Sequence, residues 1–540
     1  MANVNEGGTA ADMVTCTIDG VEVSVPKGTR IIEAAEGIGL GIAHYCYHPA
    51  LSAPAMCRMC LVEVEGAPKL APACVTTVGD GQVINTESER ALKAREGTLE
   101  FYLFNHPLDC PICDKSGECK LQDYVHSEGR AHGRSLEAKR VLGQDDFGGD
   151  ILYDGDRCIM CTRCVRFMRE IGGEDALCVV QRGHRSVIDT FYDEGVGENL
   201  WAGNIVDICP VGALLSKDFL HKARVWDLDR TPSVCASCSQ GCNIYLDGRD
   251  NAVDRLRPRQ NTEVNSYWMC DYGRYNYEWL NRQPRLESPL VGGTESAWQA
   301  AVISLVERLK ALPSGTRVRV VGSAVLGNED NGLLARLAEV VGDGETVFRS
   351  ARAADEEPCP GFPVLRRRRE LAANVEGLKL MGFSRVGDDE GRGGLEASSG
   401  DVVIVLGDDL ADLPEDFGRG AELFVHLATH ASAAAAGADY VLPVTLYAEQ
   451  EGTFTNADGR VQRFWPGLQP PAMARPAWQV LGVLLAGLGD GAAPADAANA
   501  FLRVAQIHDA FAGLSYENIG ARGALVNELV RLGAGAGEEG

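Results

Sequence analysis

A short stretch of this chain places one histidine and three cysteines at close, regular intervals. Residues 106–119 read His-Pro-Leu-Asp-Cys-Pro-Ile-Cys-Asp-Lys-Ser-Gly-Glu-Cys. The candidate ligands, at H-x3-C-x2-C-x5-C spacing, are His106, Cys110, Cys113 and Cys119. Three soft thiolates and one imidazole predict a [4Fe–4S] cluster, because thiolates suit iron in clusters and a neutral imidazole removes one negative charge. A zinc site fits these short spacings about equally well in isolation.

The other cysteines and the composition favour metal or redox chemistry. Of the 18 cysteines in 540 residues, 15 fall into four groups, and the other three are Cys16, Cys178 and Cys359. In chain order, the stretch at 106–119 is the second of these groups. Nothing at the N-terminus resembles a secretory signal, so a disulfide framework is not expected. No apolar run reaches the roughly 18–20 residues that cross a bilayer, so we expect membrane association only through partners. A formal net charge of −25 argues against nucleic-acid binding.

The first cysteine group follows a predicted hairpin and helix. Residues 14–25 alternate and turn at Asp19-Gly20, and residues 31–38 are typical of a short helix. The group itself, with C-x10-C-x2-C-x13-C spacing, is Cys46, Cys57, Cys60 and Cys74. This order of elements is found in plant-type ferredoxins, although the loop is six residues longer than C-x4-C. We predict a [2Fe–2S] cluster, with a structural zinc site as the alternative.

The third group is split along the chain. Cys158, Cys161 and Cys164 form C-x2-C-x2-C, but Met168 occupies the position of the next ligand in a bacterial ferredoxin run. Cys209-Pro210 resembles the end of a second run whose other ligand positions hold no cysteine. In ferredoxins with two clusters, the fourth cysteine of each run ligates the cluster of the other run. The three cysteines of the first run and the last cysteine of the second run therefore complete one [4Fe–4S] site. Its predicted ligands are Cys158, Cys161, Cys164 and Cys209. Cys178 lies outside this set and is expected to be a small buried side chain.

The fourth group has the spacing C-x2-C-x3-C-x27-C. Its members are Cys235, Cys238, Cys242 and Cys270. The pattern resembles the N-terminal [4Fe–4S] module of molybdopterin oxidoreductases such as formate dehydrogenase. In that family a lysine follows the last cysteine, and Tyr272 occupies its position here, which puts pterin chemistry in doubt.

Taken in order, the four groups resemble the family of the large iron–sulfur subunit of bacterial respiratory complex I, NADH:quinone oxidoreductase. The sequence around the cysteines also resembles that family's signatures, at residues 44–46, 57–60, 106–110 and 203–214. The family implies one [2Fe–2S] cluster and three [4Fe–4S] clusters, held by the 15 grouped cysteines and His106. It also implies electron relay from a partner that binds NADH and FMN, through this chain, towards downstream iron–sulfur subunits that reduce a quinone.

The second half predicts an α/β domain with a largely parallel sheet. Apolar stretches at 318–321, 402–406, 423–427 and 440–444 alternate with helical patterns such as 331–341. Residues 451–456 resemble a segment of the molybdopterin-oxidoreductase fold. Cys359 is expected to be a loop thiol, and Arg366–Arg369 a solvated helix face.

The predicted fold class is therefore α+β and multi-domain. The predicted domains are a ferredoxin-like β-grasp [2Fe–2S] domain over 14–92, a helical His/Cys [4Fe–4S] segment over 93–135, a bacterial-ferredoxin-like [4Fe–4S] domain over 136–227, a molybdopterin-oxidoreductase-type [4Fe–4S] module over 228–284, and an α/β molybdopterin-oxidoreductase-like domain, expected without pterin, over 285–540.

The predicted function is electron relay within an NADH dehydrogenase complex, with no acid–base or nucleophilic catalyst in this chain. The expected location is the cytoplasmic face of the inner membrane, peripheral and held by partners. The alternative is a molybdopterin-dependent catalytic subunit similar to formate dehydrogenase.

Overall fold

The chain folds into two compact units. The computed structural model describes residues 12–193, 195–396, 400–407, 410, 412–471 and 473–527. The N-terminal unit comprises residues 1–227 with 360–362, and the C-terminal unit comprises 228–359 with 363–540.

The N-terminal unit begins with a small mixed sheet and one helix. The elements are β1 (Met13–Ile18), β2 (Val21–Pro26), α1 (Ile31–Gly37), β3 (Leu61–Val64), β4 (Ala71–Pro72) and β5 (Val83–Asn85). The strand order is β2-β1-β5-β3-β4, with β1 parallel to β5. Asp19 and Gly20 turn the β1–β2 hairpin with positive φ, as the sequence predicts. Alternate residues of β1, Val14, Cys16 and Ile18, enter the core.

Two helices and a 3-10 turn hold the H-x3-C-x2-C-x5-C stretch. They are α2 (Glu89–Asn105), the turn Cys110–Ile112 and α3 (Lys120–Glu128). Ser88 caps α2 by accepting a hydrogen bond from Ala91 N at 3.2 Å. His106 ends α2 and Cys119 directly precedes α3, so the two helices fix both ends of the candidate ligand set.

The rest of the N-terminal unit contains two short sheets and two helices. They are β6 (Gln144–Asp146), β7 (Ile151–Asp154), α4 (Arg163–Glu170), β8 (Leu177–Val180), β9 (Val187–Thr190), α5 (Asn204–Ile208) and β10 (Leu214–Ser216). One antiparallel sheet has the order β10-β7-β6, and β8 pairs with β9. Phe147 and Tyr153 stack at 4.6 Å between ring centroids, and α4 buries Phe167 and Met168.

The C-terminal unit starts with an antiparallel sheet and one short helix. The elements are β11 (Asp229–Val234), β12 (Asn243–Arg249), β13 (Ala252–Pro258) and α6 (Asp271–Tyr275). The β11–β12 connection carries three cysteines of the fourth group, and the fourth, Cys270, directly precedes α6.

The larger part of the C-terminal unit is an α/β layer structure. Its elements are β14 (Leu290–Val291), β15 (Thr294–Glu295), α7 (Trp298–Lys310), β16 (Arg317–Ser323), α8 (Asn328–Val341), β17 (Asp343–Arg349), β18 (Glu357–Cys359), β19 (Phe362–Arg367), α9 (Val375–Leu380), β20 (Ser384–Arg385), β21 (Val402–Leu406), β22 (Leu423–Ala428), β23 (Tyr440–Pro443), β24 (Gly452–Thr455), β25 (Arg460–Phe464), α10 (Ala477–Leu488), α11 (Ala497–Ile507), α12 (Tyr516–Ile519) and β26 (Ala524–Leu525). The main sheet has the order β15-β14-β23-β22-β21-β16-β17-β20 and is parallel from β23 to β20. Its central strands and α7, α8, α10 and α11 share one apolar core.

The parallel sheet and the helix predicted at 331–341 are confirmed. Helix α8 begins three residues earlier, at Asn328, because the Asp330 carboxylate accepts a hydrogen bond from Gly327 N at 3.0 Å and closes the first turn. Among the described residues, no helix combines the length and the apolar character that crossing a membrane requires.

Three smaller predictions are wrong. Arg366 and Arg367 end strand β19 instead of lying on a helix face. Cys359 is a buried residue of β18, because pairing with β19 turns the Pro- and Gly-rich stretch into a small sheet. Cys178 is only partly buried, since its side of the two-stranded β8–β9 hairpin stays accessible.

Candidate metal centres

The first cysteine group converges beside the small sheet, with three cysteines in the connection between α1 and β3 and Cys74 after β4. All four thiols, Cys46, Cys57, Cys60 and Cys74, are buried. Cys46 contacts Cys57 and Cys74, and Cys60 contacts Cys74, through side-chain hydrogen bonds. These bonds lower the pKa of Cys46 to about 2, whereas proton donation to Cys46 raises the pKa of Cys57 and Cys74. Four buried thiols in contact can all be ionised only if cations compensate them, so this donor set fits a metal cluster.

The second group surrounds a cavity between α2 and α3. His106, Cys110, Cys113 and Cys119 all line it, together with Arg157 and Gly212. Cys110 is exposed and Cys113 is buried, so one side of this site faces solvent.

The His106 ring has the properties of a neutral metal ligand. Its Nδ1 is buried and has no hydrogen-bond partner among the described residues. Burial, together with the positive charges of Lys139 and Arg157, lowers the pKa of His106 to about 4. The ring is therefore neutral near pH 7 and retains a lone pair, as iron ligation requires.

Glycine at position 212 makes room for a thiol of the second group. A Cβ atom added to Gly212 would lie 2.1 Å from Cys113 Sγ and 3.2 Å from Lys115 Cβ. This close approach excludes any side chain at 212. Gly212 lies three residues after Cys209 of the third group. Its contact with Cys113 therefore places the second and third groups near each other within the N-terminal unit.

The third group lines a small, mostly apolar cavity. Cys158, Cys161, Cys164 and Cys209 contribute to its wall together with Tyr153, Ile159, Ile188 and Leu214. Burial raises the pKa of Cys161 to about 12 and raises that of Cys164 well above its usual range. Met160 N donates a hydrogen bond to Cys158 Sγ at 3.4 Å.

Buried side chains occupy the ligand positions that the third group lacks. Met168 and Ile205 are fully buried, and Asn199 and Ala202 are nearly so. Side-chain packing therefore fills these positions.

The four cysteines of the fourth group are all buried. Cys235, Cys238, Cys242 and Cys270 have between 3% and 4% of their surface exposed. Burial raises the pKa of Cys235 to about 11 and those of Cys242 and Cys270 well above the usual range.

Backbone N–H groups point at the sulfur atoms of the fourth group. Cys238 accepts hydrogen bonds from the backbone of Gln240 and of Arg368, and Cys270 accepts one from Gly273 N at 3.5 Å. A Cβ atom at Gly273 would stand 2.9 Å from Cys235 Sγ. Donors aimed at sulfur are an environment that stabilises cluster thiolates.

Two features of these sites were missed by the sequence analysis. The contact of Gly212 with Cys113 could have been suspected from the glycine in Pro-Val-Gly-Ala, residues 210–213. The approach of Arg368 to Cys238 had no local signal, because 130 residues separate the two positions. Among the described residues, no three His, Cys, Asp or Glu side chains are arranged to hold a single metal ion.

Five protein-family models match the chain in the predicted order. They are a 2Fe-2S iron-sulfur cluster binding domain over residues 11–89, the NADH-ubiquinone oxidoreductase-G iron-sulfur binding region over 95–134, the NADH-quinone oxidoreductase subunit 3 ferredoxin-like domain over 148–215, the molybdopterin oxidoreductase Fe4S4 domain over 228–282 and the molybdopterin oxidoreductase family over 296–486. The predicted fold class is thereby confirmed.

Curated relatives give the same picture over part of their length. The chain is 41% identical over 304 residues to the G subunit of NADH-quinone oxidoreductase from Rickettsia bellii, which covers 56% of this chain and 44% of the relative. It is 40% identical over 358 residues to the Mycobacterium tuberculosis protein of that name, covering 64% and 44%. It is 43% identical over 289 residues to the mitochondrial NADH dehydrogenase [ubiquinone] iron-sulfur protein 1 of Solanum tuberosum, covering 54% and 39%. These matches span less than half of each relative.

One solved structure is also similar over a limited region. A chain of an NAD+-reducing [NiFe]-hydrogenase in the H2-reduced state is 29% identical, with a TM-score of 0.36, covering 39% of this chain and 91% of that one.

Proposed function

We propose that this chain, which is similar to the G subunit of NADH-quinone oxidoreductase, relays electrons through iron–sulfur clusters within such a complex. The observation that carries the proposal is the convergence of each cysteine group on one small site, which is mostly buried except for the solvent-facing side of the second group. Thiolates packed in this way suit clusters that take up and release single electrons when bound. The proteins of similar sequence named above are subunits of NADH dehydrogenase complexes.

The proposed cofactors are one [2Fe–2S] cluster and three [4Fe–4S] clusters. The first would be held by Cys46, Cys57, Cys60 and Cys74, and the others by His106 with Cys110, Cys113 and Cys119, by Cys158, Cys161, Cys164 and Cys209, and by Cys235, Cys238, Cys242 and Cys270. The protein's own contribution is to fix these ligands, exclude water and direct N–H groups at sulfur. The domain limits proposed for these sites are those given by the sequence analysis.

The partners proposed are the NADH- and FMN-binding subunit on one side and downstream iron–sulfur subunits on the other. Association with a membrane would come through these partners, at the cytoplasmic face. In this role the chain needs no acid–base or nucleophilic group of its own, and the whole complex would be the enzyme.

Iron and acid-labile sulfide analysis, with low-temperature EPR of the reduced protein, tests the proposal. We expect about 14 iron and 14 sulfide per chain, the content of one two-iron and three four-iron clusters. Cys60→Ser should remove about two iron atoms, and Cys113→Ser, Cys161→Ser and Cys238→Ser should each remove about four. Cys178→Ser is the matched control and should leave the iron content unchanged. Stoichiometric zinc with little sulfide would contradict the proposal.

A second candidate function is that of a molybdopterin-dependent dehydrogenase. It is favoured by the molybdopterin oxidoreductase match over residues 296–486. Tyr272, at the position where that family has lysine, speaks against it. Molybdenum or tungsten near one atom per chain, together with pterin fluorescence, would favour this candidate over the relay.

A further inference from the structure

Four consecutive arginines in the C-terminal unit, Arg366–Arg369, divide into an outer and an inner pair. Arg366 pairs with Glu356 at 3.1 Å and has a side chain 35% exposed. Arg369 pairs with Asp389 at 3.2 Å and is 48% exposed. The two central side chains, Arg367 and Arg368, are only 11% and 14% exposed. The central pair is thus held in the protein, whereas the outer pair is largely hydrated.

The central pair lies against the fourth cysteine group. Arg368 Nε donates a hydrogen bond of 2.9 Å to Gln240 Oε1, in the loop between Cys238 and Cys242. The backbone N–H of Arg368 donates to the Cys238 thiol, and Ser239 N donates to Glu370 O at 2.9 Å. The segment that follows β19 is therefore hydrogen-bonded both to the ligand loop and to one of the candidate ligands.

The charges of the central pair act on the same sulfur atom. Arg367 and Arg368 both carry a positive charge that interacts electrostatically with Cys238. The charge of Arg367 also reaches Tyr272, which lies near Cys235 and Cys238. In a dry site such charges are screened less than at the surface.

We propose that the positive charges of Arg367 and Arg368 raise the reduction potential of the cluster held by the fourth group. A site of four thiolates carries negative charge, and each electron it accepts adds another, so nearby cations and N–H donors favour the reduced form. The inference rests on the proposed function and adds to it the residues that set one potential. The electron comes from dithionite in the test below and from the preceding redox partner in the complex.

The carboxylates that pair with these arginines moderate the effect. Asp458 accepts hydrogen bonds of 2.8 and 2.9 Å from Arg368 Nη2, and Glu357 pairs with Arg367. Asp458 is 50% exposed, so its charge is better screened by water than that of Arg368. Removing the carboxylate charge should therefore move the potential in the opposite direction from removing the guanidinium.

The test is an EPR-monitored redox titration of the full chain loaded with iron and sulfide, with dithionite as reductant. The signal of the fourth cluster is identified as the one that Cys238→Ser removes. We expect Arg367→Gln and Arg368→Gln to lower its midpoint potential by up to about 59 mV, the shift of a tenfold change in a one-electron equilibrium. Asp458→Asn should raise it. Arg366→Gln and Arg369→Gln are matched controls from the same run and should leave it in place.

The outcomes separate this inference from the proposed function. An unmoved midpoint in both central variants, or an equal shift in the outer controls, would overturn the inference alone. If Cys238→Ser loses neither iron nor an EPR signal, the fourth ligand set is wrong, and the inference falls with it. If a glutamine variant loses iron, the midpoint potentials of Arg368→Lys and Asp458→Asn are compared with that of the unaltered chain instead. An unchanged midpoint in the lysine variant and a raised one in Asp458→Asn support the inference, and an unmoved midpoint in Asp458→Asn contradicts it.

Discussion

The two units of this protein bury their cysteines in different surroundings. In the N-terminal unit, three candidate ligand groups lie among short helices and strands, and an apolar core lies beside the first group. In the C-terminal unit, one group lies beside an antiparallel sheet, and a continuous core runs through the parallel sheet and its helices.

With the proposed clusters bound, the two units should depend on metal to different degrees. Burial of apolar surface contributes about 25 cal/mol per Å² to folding, and the parallel sheet obtains this contribution without ligands. A segment organised around thiols obtains much of its stability from the metal itself. We therefore expect loss of iron to affect the N-terminal unit most.

The largest expected effect is that of removing iron from the intact chain with an anaerobic chelator. Amide exchange in residues 151–215 should become about a hundredfold faster or more, because roughly 2.7 kcal/mol of local stability is lost. Exchange in β16, β21 and β22 should change little. Hydrogen exchange with mass spectrometry measures both regions in one sample, and equal acceleration in the parallel strands would contradict the comparison.

The next effect concerns a single glycine in the N-terminal unit. Gly212→Ala should abolish loading of the second site, since the new Cβ would overlap with Cys113 Sγ. The iron content should fall by about four atoms per chain. Gly97→Ala is the control, because Gly97 is exposed in α2 and a Cβ there meets nothing within 4 Å. A fully loaded Gly212→Ala protein would show that the second site does not need this close approach.

The C-terminal unit should show a pH dependence that does not involve its cysteines. Burial raises the pKa of Glu329 to about 8 and that of Asp330 to about 6. Above pH 4.5 the unfolded chain has released these protons while the folded unit still holds that of Glu329. Stability should therefore fall by up to ~1.4 kcal/mol per pH unit for each group, between about pH 4.5 and 8 for Glu329 and between about pH 4 and 6 for Asp330.

Glu329→Gln tests this dependence. The amide stays neutral, so urea unfolding of the C-terminal unit, followed by exchange in β16 and β21, should vary less with pH between 5 and 8. Glu339→Gln is a matched control on the same helix, where the Glu339 side chain is 57% exposed. An unchanged slope in Glu329→Gln would mean that Glu329 is ionised in the folded unit throughout this range.

The smallest effect is expected at the ligand that distinguishes the second site. His106→Cys should retain a cluster but add one negative charge, which lowers its midpoint potential. EPR redox titration against the unaltered chain measures this shift. If no cluster potential moves down, His106 is not a ligand.

Much of the fold and of the candidate sites could be predicted from the sequence. The β1–β2 hairpin was predictable because Asp-Gly turns and alternation act within a few residues. The parallel strands were predictable because strands buried on both faces consist of continuous apolar residues. The strand that ends in the arginine run was mistaken for a helix, because a run of four cations carries no periodicity.

The sequence alone determined the types of the candidate ligands and their local spacing, since those depend only on covalent order. It also indicated Cys209 as the distant partner of Cys158, through the pattern of a divided ferredoxin run. Only the tertiary structure decided that Gly212 approaches Cys113 and that Arg368 approaches Cys238. Such contacts join segments up to 130 residues apart. They arise from how whole elements pack, and the local sequence at Arg368 and at Cys238 carries no sign of their approach.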